Sequence, residues 1–164
     1  MTHRLTLGSD GAGPGDAPEV RLSARRNPKA IGERSEGMVI AALLRAGELV
    51  AQPFGDNQRY DLLVDRGDRF LRIQVKTGRR LTRGNSAGTI VFPTCSSQAH
   101  RGGPSLPYHG QADYFAVYCP ETDKVYFVAV SECGSYRAVL RLEPPRKQQH
   151  RVRMRWARDH ERLP

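Results

Sequence analysis

Asp61, and then Gln74-Val75-Lys76 thirteen residues later, are the part of this sequence best equipped for chemistry. They lie in Arg59 to Gly78, RYDLLVDRGDRFLRIQVKTG, where the turn signal Asp65-Arg66-Gly67-Asp68 separates two β-patterned arms. The simplest reading is an antiparallel hairpin. With Arg66 and Gly67 as a two-residue loop, Asp65 pairs with Asp68 and Asp61 stands opposite Arg72. Alternation then places Asp61, Arg72, Gln74 and Lys76 on one face and Leu71, Ile73 and Val75 on the other. The aliphatic face is a core surface, and the opposite face gathers an acid, an amide and two cations. A helix supplies a second acid: Glu36 heads the row Glu36, Ile40, Leu43 beside an apolar stripe, so packing on the sheet aims it at the sheet edge. Asp61 and Glu36 could then share a Mg²⁺. That ion takes hard oxygen ligands, so the Val75 carbonyl and phosphate oxygens would complete the site, with waters. Lys76 would sit where an attacking water meets a scissile phosphate.

Positioning these groups requires a helix and a sheet. Asn27-Pro28 reads as an N-cap followed by proline at the first helical position, and Gly47 as the stop. Between them Ile31, Met38, Val39, Ala42, Leu43 and Ala46 recur at helical spacing, which predicts a helix of about 18 residues. Six β-patterned runs follow: 48–54, 59–65, 69–76, 89–93, 114–118 and 124–130. Residues 94–112, TCSSQAHRGGPSLPYHGQA, have no periodicity, and a loop of that length in a compact domain is often functional. Residues 1–27 offer few large apolar side chains and are expected to be disordered. Residues 28–143 are expected to form one domain, and 144–164 a basic C-terminal extension.

The chain has 164 residues, one domain's worth, and a formal charge of +9 that favours a polyanionic partner, nucleic acid first. Of its 26 basic residues 22 are Arg and four are Lys. Residues 146–164 carry seven Arg or Lys against two acids. No apolar run is long enough to span a membrane and no signal peptide is apparent, so a cytoplasmic location is expected. Three cysteines, Cys95, Cys119 and Cys133, without CxxC spacing argue against a disulfide framework or a zinc ribbon.

Glu36 on a helix, Asp61 at a hairpin strand and Gln74-Val75-Lys76 on the next strand resemble the PD-(D/E)XK nuclease superfamily, specifically its group I intron homing endonuclease branch. The resemblance runs over about residues 30–132, from GERSEGMVIAALLRAG to KVYFVAV. It implies an α/β (mixed α+β) restriction-endonuclease-like core, a mixed central sheet flanked by helices. It also implies Mg²⁺-dependent hydrolysis of double-stranded DNA, with Mn²⁺ as a substitute, by a homo-oligomer, either a dimer or a tetramer. Asp61 matches the principal metal ligand, Glu36 the helix-borne acid and Lys76 the motif lysine. Tyr60 replaces the proline of the motif. Gln74 stands where most of the superfamily has Asp or Glu, and the intron-endonuclease branch resembles this sequence in having it.

On this reading Glu36, Asp61, Gln74 and Lys76 are catalytic, and Asp61, Glu36 and the Val75 carbonyl are metal ligands. The cation polarises the phosphate and acidifies a water, which Lys76 orients. In a chain so poor in lysine, a lysine here is evidence that the compact ammonium is required. Arg72, Arg79, Arg80, Arg83 and Arg101, with Arg153 and Arg155 beside Trp156 in the tail, are candidate DNA contacts. A solvated basic surface is the plainer account of these arginines, and an Asp61–Arg72 surface ion pair that of the acid. Two alternatives stay open: a Holliday-junction-resolvase-like or repair nuclease, and an inactive nucleic-acid-binding module on the same fold, which the neutral Gln74 keeps in play.

Overall fold

The computed structural model describes residues 27–55, 58–96, 105–145 and 154–164. The expected disorder of 1–27 falls, Asn27 apart, outside the described residues, as do Arg101 and Arg153. Helix α1 (Pro28–Arg45) starts as its sequence directs. The Asn27 side chain accepts the Lys29 N–H at 3.0 Å, and proline occupies the first turn. Gly47, at φ +82°, turns the chain out of the helix.

Among the described residues ten strands follow: β1 (Leu49–Ala51), β2 (Leu62–Asp65), β3 (Phe70–Thr77), β4 (Arg79–Leu81), β5 (Thr89–Pro93), β6 (Cys95–Ser96), β7 (Leu106–Pro107), β8 (Tyr114–Cys119), β9 (Lys124–Ala129) and β10 (Arg137–Arg141). The central sheet has the order β1-β2-β3-β8-β9. It is mixed, because β3 and β8 run parallel while the other neighbours are antiparallel. The architecture is therefore α+β.

Alternation along the strands splits the core into two layers. Leu71 and Ile73 of β3, with Ala116 and Tyr118 of β8, face α1 and pack with Val39 and Leu43. Val39 and Leu43 are 0% and 1% exposed, and each contributes about 1.5–3 kcal/mol by leaving water. Phe115 and Val117, on the opposite face of β8, pack with Ile90, Phe92 and Leu140 of a second, three-stranded sheet ordered β10-β5-β4. The expectation of helices flanking the sheet is thus corrected on one side. Thr89-Ile90-Val91-Phe92 is β-branched and aromatic and folds as a strand, so this face is covered by a sheet, and α1 is the one α-helix among the described residues.

The chain passes from one sheet to the other at Gly78, between β3 and β4. An added Cβ there would lie 2.7 Å from Ile90 Cγ2 and 2.8 Å from Val117 Cγ1. The last described segment folds back onto the domain. The Arg141 N–H donates to the Arg155 carbonyl at 2.7 Å, Ala157 is 2% exposed, and Lys124 meets Glu161 at 2.7 Å.

The hairpin register also needs correction. Asp65 pairs with Phe70 and Leu63 with Arg72, so the connection is the four residues Arg66–Arg69 rather than two. Asp65 Oδ1 accepts the Gly67 N–H at 2.7 Å and so favours the longer turn, with Gly67 at φ +80°. The shift is two residues, an even number, so every side chain keeps its expected face. It moves Asp61 from opposite Arg72 to beside Gln74.

Candidate active site

The β2–β3 ladder ends at the Leu62–Ile73 pair, and the Asp61 N–H makes one more bond, to the Ile73 carbonyl at 2.9 Å. Beyond it the carboxylate takes the place of a strand. Asp61 Oδ2 accepts the Val75 N–H at 2.7 Å and Gln74 Nε2 at 2.5 Å. Burial raises the Asp61 pKa above its usual value. The Val75 N–H, the Lys76 charge and the Gln74 amide pull it back, while the Glu36 charge pushes it further up.

In a strand the N–H and C=O of one residue point to the same side, so the Val75 carbonyl also faces this open edge. It accepts a long bond from Gln74 Nε2, 3.3 Å. Gln74 is 8% exposed, and its register partner in β8 is Phe115. Glu36 is half-buried on α1, and its Oε1 accepts Gln52 Nε2 at 2.5 Å. Beside it, Ser35 is 2% exposed and its hydroxyl lies 2.6 Å from Thr77 Oγ1, tying the helix to the end of β3.

Lys76 lies on the same face of β3 as Gln74. Its Nζ donates to Tyr108 Oη at 3.0 Å and stands 4.4 Å from the ring centroid. Burial lowers its pKa to about 8; Asp61 opposes the shift and Arg59 adds to it. Arg59 also lies on the Tyr108 ring, 4.4 Å from the centroid, and donates to Ser96 Oγ, to the Leu106 and Pro107 carbonyls and to the Gln111 side chain. Neither Tyr108 nor Arg59 is singled out by the sequence. The available signals were an aromatic in an unpatterned loop and a basic residue two positions before the acid.

The structure brings Asp61, Gln74, Val75 and Lys76 together at the end of one ladder, with Glu36 close enough for its charge to be felt. The donors are hard oxygens: two carboxylates, an amide and a backbone carbonyl. Such a set suits a small divalent cation that keeps part of its water shell. Among the described residues no group of three or more His, Cys, Asp and Glu gathers, so a cation here would rest on two charged ligands.

The candidate DNA contacts are more scattered. Arg72 is committed to Asp113, donating from Nη2 to Oδ1 at 2.8 Å and from Nε to Oδ2 at 3.2 Å. Arg80 pairs with Glu143 at 2.5 Å, and Arg155 donates to the Glu132 carbonyl. Arg79 and Arg83 are exposed, on β4 and in the turn after it.

A solved structure of a bacterial homing endonuclease aligns with 77% of this chain and 83% of its own, with 24% identity and a TM-score of 0.53. A Holliday junction resolvase from Archaeoglobus fulgidus aligns with 67% of the chain and 83% of its own, with 19% identity and a TM-score of 0.41. No curated protein sequence matches significantly. The first likeness supports a restriction-endonuclease-like fold. The sequence model described as PD-(D/E)XK endonuclease matches residues 26–163, and the chain belongs to the PD-(D/E)XK endonuclease family.

Proposed function

We propose that this chain is a divalent-metal-dependent endonuclease that hydrolyses double-stranded DNA in the manner of a homing endonuclease. The observation that carries the reading is the convergence of Asp61, Gln74, the Val75 carbonyl and Lys76 where the β2–β3 ladder stops. Family membership and the fold shared with a bacterial homing endonuclease support it. When bound, Mg²⁺ or Mn²⁺ supplies positive charge to the scissile phosphate and makes a water more acidic. Asp61 and Glu36 provide the negative charge that holds such an ion. Gln74 can turn an amide oxygen to it without adding charge, and the Val75 carbonyl faces the same edge. The Lys76 ammonium, bonded to Tyr108 Oη and within reach of the Asp61 charge, orients the water and stabilises charge that develops on the phosphate oxygens. Exposed Arg79 and Arg83 neutralise flanking phosphates, an attraction that weakens steeply with salt.

A plasmid-nicking assay with Mg²⁺ or Mn²⁺, against EDTA, tests this reading. Cleavage is expected with either cation and none with EDTA. Binding without cleavage of supercoiled, linear and branched DNA would identify an inactive binding module instead. Preference for branched over linear DNA would identify a junction nuclease.

A further inference from the structure

We infer that Tyr108 is a positioning residue for Lys76, clamped by Arg59 so that its hydroxyl and ring together fix the lysine ammonium at the proposed cleavage centre. The inference rests on the nuclease reading for its purpose, though not for its geometry. A lysine side chain is long, flexible and rich in rotamers, so an ammonium that must meet one phosphate oxygen needs an external anchor. Here the anchor makes two contacts, the 3.0 Å bond from Nζ to Oη and the cation–π approach at 4.4 Å.

Tyr108 is itself held rigidly. It is 5% exposed, and its ring packs edge-on against Phe115 with centroids 5.7 Å apart. Its carbonyl accepts the Gln111 and Ala112 N–H groups at 2.9 and 3.1 Å. The Arg59 guanidinium then binds the segment on both sides of the tyrosine, through the Leu106 and Pro107 carbonyls before it and the Gln111 side chain after it. Arg59 is two residues from Asp61, so one guanidinium ties the segment that carries the acid to the tyrosine that holds the lysine. The segment around Tyr108 thereby delivers a rigid aromatic platform to the end of β3.

The test uses the full chain with Tyr108→Phe and Tyr108→Leu. The chain has four lysines, so selective ¹³C labelling of the lysine ε-carbons gives few signals to assign. In the wild type the Lys76 ε-CH₂ signal is expected to be displaced by the ring current of Tyr108. That displacement should persist in Tyr108→Phe and vanish in Tyr108→Leu. With supercoiled plasmid and Mn²⁺, Tyr108→Phe should lower kcat about tenfold and leave KM within about twofold. A purely structural tyrosine would lower the melting temperature without this kcat-against-KM split and without a Lys76-specific signal change. A Lys76 signal that stays put in Tyr108→Leu, or wild-type kcat in Tyr108→Phe, overturns the inference. If the wild type cleaves no DNA but the Lys76 signal moves as described, the placing of Lys76 by Tyr108 stands and the nuclease reading falls.

Discussion

Gln74 Nε2 donates to Asp61 Oδ2 at 2.5 Å, and the Val75 N–H donates to the same oxygen at 2.7 Å. A glutamate at 74 would replace a donor with a second negative charge beside a carboxylate whose pKa burial already raises. Gln74→Glu should therefore lower metal-free stability by about 1–3 kcal/mol. It should also increase the thermal stabilisation produced by Mg²⁺, because the added ligand is charged. Thermal unfolding in EDTA and across a Mg²⁺ titration checks both effects. An identical Mg²⁺ response in the two proteins would remove Gln74 from the cation site.

Lys76→Ala should abolish Mg²⁺-dependent cleavage while leaving DNA affinity within about threefold, because exposed arginines elsewhere supply the phosphate attraction. Single-turnover cleavage beside a filter-binding titration separates the two quantities. Undiminished cleavage by the variant would sink the assignment. Lys76→Arg should not restore activity, because a planar guanidinium does not reproduce the compact ammonium bonded to Tyr108 Oη.

What was legible in the sequence follows from how local each signal is. Helix α1 was readable from cap to stop because Asn27-Pro28 and Gly47 act through their own backbones. The β-branched run closed by proline, Thr89–Pro93, coincides with β5 to the residue. The face shared by Asp61, Gln74 and Lys76 survived a wrong turn length because the slip was even. β4 and β10, like the two-residue β6 and β7 within the stretch read as a loop, carry no such local signal. Arg79-Arg80-Leu81 and Arg137–Arg141 carry exposed arginines and become strands through pairing with β5, a tertiary effect that no local window contains. A two-residue turn sets Asp61 opposite Arg72; with the longer turn Asp61 stands beside Gln74, and Arg72 binds Asp113, 41 residues away.

Gly78 should not tolerate alanine. The new Cβ would stand within 2.8 Å of side chains from both sheets, Ile90 and Val117, at a point where the Gly78 N–H is also bonded to the Tyr118 carbonyl at 2.8 Å. Overpacking of this kind costs about 1–3 kcal/mol. A urea melt of Gly78→Ala should show that loss with an unchanged slope. Wild-type stability would mean that the two sheets slide apart more readily than their packing implies.

The Arg72–Asp113 pair should give the protein an acid-sensitive component of stability. Arg72 binds Asp113 through its side chain and also through its backbone N–H at 2.8 Å, holding the Asp113 carboxyl below its ordinary value of 3.8. The folded pKa is thus lower than the unfolded one. The contribution is complete above the unfolded pKa and is lost as pH falls through the folded one. Both side chains remain about one-third exposed, so solvent screening limits the pair to about 1 kcal/mol despite its two-pronged geometry. Asp113→Asn should therefore be less stable than the wild type by about that much at pH 7, and the gap should close as pH falls below the ordinary carboxylate range. Urea melts of both proteins at pH 7, 5 and 3 measure it. A gap that stays constant down to pH 3 would show that Asp113 acts by shape and hydrogen bonding, with its charge irrelevant.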